Sequence, residues 1–124
     1  MNFTDKIVEK PEGGTISLEG DPLPFGGYFV GGVVAPLVLD EDEIHTPEGR
    51  AKVDEFIAYL NGPTVGAAFL GWWTDEETGK VWVDGTSHHS TEFVAGRIGR
   101  RRREIAIFDI ERQRSLRLVY VDGE

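Results

Sequence analysis

GWWTDEETGKVWVD, residues 71–84, decides how the rest of the chain is read. Aromatic and β-branched residues flank a polar, glycine-bearing turn, TDEETGK, and Val81 and Val83 alternate with Trp82 on the way out. That pattern predicts two strands joined as a hairpin. Trp72 and Trp73 are neighbours on one strand, so they face opposite sides of any sheet, and one of them is outside unless both faces are covered. An exposed tryptophan beside a charged turn is a common interface anchor, which makes Trp72, Trp73 and Trp82 candidate binding residues.

Working outward, HTPEGRAKVDEFIAYLNGP (45–63) carries every mark of a helix. Thr46 suits the N-cap, Pro47 the first helical position, and Glu48 the positive end of the dipole. Val53, Phe56, Ile57 and Leu60 form one apolar stripe, and Gly62 with Pro63 ends it, so a helix is expected over 47–61. YFVGGVVAPLVL (28–39) reads as a buried strand or strand pair interrupted at Gly31 and Gly32, with Pro36 at an edge or bend. The glycine pairs fit neither a G-x-x-x-x-G-K-[ST] nor a G-x-G-x-x-G loop. TISL (15–18) is a short strand, and residues 1–13 are expected to be a loosely held arm.

Downstream, Ser90 or Thr91 caps a short helix over about 90–99 that stops near Gly99. EIAIFDI (104–110) and SLRLVYV (115–121) alternate as two strands joined through ERQR. The sum is an α+β chain of one domain: a mainly antiparallel sheet with one longer and one short helix packed on it. A length of 124 residues is enough to bury one core.

The absence of cysteine excludes disulfides, thiolate metal sites and cysteine nucleophiles. With no signal-peptide run or apolar stretch of bilayer length, a cytoplasmic location is the expectation and a membrane role is not. Formal net charge is −9, yet residues 1–96 hold 17 acidic and 5 basic side chains while residues 97–124 hold 5 acidic and 8 basic. Such division points to a basic face on an acidic body, or to pairing between the two parts.

Four consecutive arginines lie in GRIGRRRREIAIFDI (96–110). Arg97, Arg100, Arg101, Arg102 and Arg103 are candidate binding residues, because guanidinium groups make paired hydrogen bonds to phosphate or carboxylate oxygens. GRIG is a G-x-x-G, the loop with which a K-homology domain clamps a nucleic-acid backbone, but arginines follow it here where that family has apolar residues. The run reads more simply as the charged connection between the short helix and the next strand. Asp84, His88 and Ser90 have the residue types of a triad, but they lie within seven positions and no G-x-S-x-G turn accompanies them. His88 and His89, adjacent, point apart and so make a poor metal pair; they read as exposed turn residues. No catalytic residue, metal ligand or cofactor is assigned.

Residues 71–110, by Trp72 or Trp73, Asp75, Gly79, Lys80, Val81, Asp84 and the final strand from Glu104 to Asp109, resemble a short module of accessory and polyvalent proteins of actinobacterial phages and their hosts. The resemblance implies a source class and no activity. The reading overall is a non-enzymatic protein that binds another protein through a charge-polarised surface. Two alternatives stand beside it. One is nucleic-acid binding through residues 97–117. The other is an acidic inhibitor in which Asp40 to Glu43 and Asp75 to Glu77 mimic phosphates.

Overall fold

A computed structural model describes residues 2–120. Along the chain run α1 (Phe3–Glu9), β1 (Gly13–Ser17), β2 (Tyr28–Val30), β3 (Leu37–Asp40), a 3-10 turn (Glu43–His45), α2 (Pro47–Asn61), β4 (Phe69–Asp75), β5 (Lys80–His89), α3 (Glu92–Arg101), β6 (Ala106–Asp109) and β7 (Arg114–Arg117). The chain is α+β, and its strand pairings are antiparallel. The last strand, expected over 115–121, is β7 at Arg114–Arg117, so Leu118 to Tyr120 lie beyond it, and Val121 lies outside the described residues.

The hairpin read from residues 71–84 is the centre of the sheet, whose order is β1-β4-β5-β2-β6-β7. β4 borders β5 along one edge, with Trp73 opposite Trp82. The other edge of β5 is shared: Leu37–Asp40 pair with its first half, Tyr28–Val30 with its last three residues. Gly31 and Gly32 interrupt the strand as expected, and between the two pairings Val33 N–H still donates to Gly85 O at 3.2 Å.

One face of the sheet is covered. Leu70 and Trp72 of β4 and Val81 and Val83 of β5 pack with Val53, Ile57 and Leu60 of α2, the stripe that the helical spacing predicts. Thr46 Oγ1 caps α2 by accepting from Gly49 N–H at 3.0 Å. Val30 lies opposite Ser87, on the same side of β5 as Val83, so α3 covers this face too, over a second cluster of Val30, Ala95 and Ile107.

Two expectations are corrected. The N-terminal arm is a docked element: Asn2 and Asp5 cap α1 reciprocally, Ile7 is 0% exposed in the main core, and Trp72 Nε1–H donates to Lys10 O at 2.7 Å. Its sequence was too short to show a helical period, and the apolar residue that holds it needs a partner from far along the chain. The short helix also does not stop at Gly99. It starts at Glu92, with Thr91 as cap, and runs to Arg101; it ends by a Schellman motif in which Glu104 N–H reaches Gly99 O at 2.9 Å and Arg103 N–H reaches Arg100 O at 3.1 Å. Arg103, at φ 61°, occupies the left-handed position that glycine usually takes. Gly99 serves packing instead: a Cβ there would lie 2.7 Å from Leu118 Cδ1 and 3.0 Å from Ile107 Cγ2.

Candidate functional site

Helical geometry divides the arginine run. Arg97 and Arg101, one turn apart, are exposed on α3, and the Arg97 guanidinium lies 5.8 Å from the centre of the Phe93 ring. Arg100 Nε donates to Val119 O at 2.9 Å. Arg102 turns inward: its Nη1 donates to Val30 O, Gly31 O and Ser87 Oγ at 3.2, 3.1 and 2.9 Å. Of the five candidate arginines, Arg102 therefore holds the end of β2, away from the exposed positions of Arg97 and Arg101. Farther on, Arg112 pairs with the buried Asp109 at 3.0 Å, while Arg114 and Arg117 are exposed on β7.

Arg102 belongs to a cluster of ionisable groups at the gap in the edge of β5. A methyl group at Gly31 would lie 2.6 Å from Asp84 Oδ2 and 2.8 Å from Glu104 Oε1, so two carboxylates approach the same glycine. Asp84 Oδ2 accepts from Gly32 N–H at 2.8 Å, and Oδ1 is buried without a hydrogen-bond partner among the described residues. Burial pushes the Asp84 carboxyl up to about 6, against the N–H groups of Gly32 and Gly85 and the nearby Arg102. Glu104 is also raised, by burial and then by the charge of Asp84. Burial lowers Arg102, opposed by both carboxylates.

Both histidines lie in β5, half-buried, and not in an exposed turn. His88 Nε2–H donates to Gly26 O at 2.9 Å, and its ring packs near Phe29 and Phe69. His89 Nε2 is 2.8 Å from Ser87 Oγ, and burial, Arg102 and His88 together lower its pKa. Ser90 is exposed and His88 is engaged by a backbone carbonyl, so Asp84, His88 and Ser90 do not assemble as a triad. Among the described residues no group of three or more His, Asp or Glu could hold a metal ion.

The open face of the sheet carries two of the three aromatic candidates, Trp73 and Trp82. Trp72 is 6% exposed, in the core, and Trp73 is 49% exposed. The register places Trp73, Trp82 and Val38 side by side on three strands, and the Trp73 and Trp82 rings stack with centres 6.1 Å apart and planes 14° from parallel. Trp82 Nε1–H is buried without an acceptor among the described residues. At the same end of the sheet Lys80 pairs with Asp40 at 2.6 Å, and Asp40 to Glu43, Thr46, Thr78 and Gly79 line a recess of about 760 Å³. Lys52 pairs with Glu43 at 2.6 Å. The stack was hidden in the sequence because Trp82 meets Trp73 only once the hairpin register is known.

A second recess, of about 230 Å³, lies between α3 and β7 at the far end of the sheet. Ile107, Leu116 and Leu118 form its apolar side, with Phe93 and Arg100 from α3 and Arg117 from β7 around it. Two ends of one sheet thus differ in sign, acidic and aromatic at the central hairpin, basic around α3 and β7. Set against known proteins, the chain matches no family model, no curated protein and no solved structure.

Proposed function

We propose that this chain is a small non-enzymatic binding protein, an accessory protein of an actinobacterial phage or its host, that contacts another protein with the aromatic and acidic end of its sheet. One observation carries the reading: the row Val38, Trp82 and Trp73 on the open face, with Asp40, which lines the acidic recess, two residues beyond Val38 on β3. Stacked indoles offer a large, rigid apolar surface that loses little side-chain entropy on binding, and the carboxylates around it favour a partner with a basic rim. The source class rests on the resemblance of residues 71–110 alone.

Quantitative comparison of proteins retained from host lysate by the wild-type chain and by Trp73→Ala tests this. The expected result is a partner whose retention falls by about tenfold or more, as for a hot-spot tryptophan. A partner retained equally by Trp73→Ala, with an unchanged circular dichroism spectrum, would overturn it. Nucleic-acid binding is the second reading, favoured by the exposure of Arg97, Arg101, Arg114 and Arg117. It requires an affinity that falls steeply with salt and flattens on charge reversal at Arg97 and Arg101.

A further inference from the structure

The edge of the sheet at β7 presents backbone that pairs with no further strand among the described residues, beside an apolar recess. β7 is the last strand in the order, pairing only with β6 among the described residues. Leu118 N–H donates to Ile105 O at 2.9 Å, and in an antiparallel pair the inward-bonding positions recur every second residue. Leu116 and Arg114 therefore bond inward to Ile107 and Asp109, and the N–H and C=O groups of Ser115 and Arg117 face outward. Such an edge is a template for an added strand.

What could be added is restricted by the side chains. The recess between α3 and β7 lies along this edge, with Leu116 inside it and Phe93, 73% exposed, at its lip. Its volume of about 230 Å³ suits one large apolar side chain. The surroundings are basic: Arg97 and Arg101 are exposed on α3, Arg100 and Arg117 border the recess, and Arg114 is exposed on the strand. Among the described residues Glu92 is the one carboxylate lining the recess. A second copy pairing edge to edge through β7 would set Arg114 and Arg117 of one chain close to those of the other, and the repulsion disfavours self-association here.

We infer that β7 accepts an extended acidic segment of a partner protein as an eighth strand, with one apolar side chain of that segment seated in the recess between α3 and β7. Backbone hydrogen bonds to Ser115 and Arg117 supply the pairing, the recess selects the apolar residue, and the arginines select acidic neighbours. This surface is separate from the Trp73 end, so either can fail without the other.

The probe is a fluorescein-labelled eight-residue peptide alternating Asp or Glu with Leu or Phe, titrated into the full chain by fluorescence anisotropy. Saturable binding is expected, weakening with salt. A loss of about tenfold is expected with serine in place of the acids, or with the protein variant Arg114→Glu/Arg117→Glu. A peptide N-methylated on one edge should lose binding by a similar factor, and bound peptide should slow amide exchange at Ser115 and Arg117. Trp73→Ala should bind the peptide as the wild type does. The inference is overturned by absence of saturable binding, or by indifference to N-methylation, which would mean a charge contact without strand addition. It is also overturned if single-stranded DNA binds the same arginines more tightly than the acidic peptide.

Discussion

Trp72 and Trp73 are identical residues next to each other, and the sheet gives them opposite work. Trp72 fills the core and ties down the N-terminal segment through Lys10 O; Trp73 stacks on Trp82 in the open. Alternation along a strand predicts that they part company, but which one goes inside depends on where α2 docks. Asp84, which the sequence offers only as one member of an incomplete triad, is unusual in place. Its folded-state pKa, about 6, exceeds the ordinary 3.8 because burial penalises the charge. A raised carboxyl favours the fold while neutral: the contribution is fully present below about 3.8 and is lost as pH rises through about 6. Asp84→Asn should therefore stabilise the chain at pH 8 relative to wild type, by about 1–2 kcal/mol after allowing for partial solvent screening, and by little at pH 4. Urea denaturation at the two pH values checks this, and an equal increment at both would exclude it. The cluster around Asp84 was not legible because Glu104 arrives from the connection between α3 and β6 and Gly31 from a third segment.

At the scale of elements, α2 was readable to the residue. Its cap, its first-position proline, its stripe and its terminating glycine all agree, and local agreement of that kind leaves little for tertiary contacts to override. α3 was readable only in part. Its glycines suggest a stop, yet Gly99 sits inside the helix against Leu118 and Ile107, and the true end is marked by an arginine in a left-handed conformation. A contrast between two glycines of this helix tests the account. Gly99→Ala should destabilise by about 1–3 kcal/mol, since its methyl would overlap Leu118, just past β7, and the β-branched Ile107 of β6. Gly96→Ala should stabilise by up to about 1 kcal/mol, because the neighbour it meets, Arg100 Nη1 at 3.3 Å, is the end of a flexible side chain and alanine favours the helix. Thermal melts of the two variants decide it; a common sign would refute the packing role of Gly99.

On the scale of the whole molecule, α1 makes the N-terminus part of the fold. Ile7 joins the same core as Leu60 of α2 and Val81 of β5. Ile7→Ala should cost about 2–5 kcal/mol by guanidinium denaturation, as for other buried aliphatic truncations, whereas a free arm would lose almost nothing. Opposite charges at the two ends of the sheet follow from the same folding. The acidic residues of the central hairpin and of β3 gather at one end, while α3 and β7 bring their arginines to the other. None of the helices is long and apolar enough to cross a membrane among the described residues.

By itself the sequence determined the α+β class, the hairpin, α2, and the division of charge along the chain. These are local properties, set by side-chain period, turn chemistry and capping within a few residues. Only the tertiary structure decided that Arg102 turns inward while Arg97 and Arg101 stay out, and that Trp82 completes a stack with Trp73. It alone placed Asp84 against Glu104 and docked α1 in the core. Each of these depends on strand register or on groups many residues apart, and a one-residue change in register would send strand side chains such as Trp82 and Asp84 to the other face.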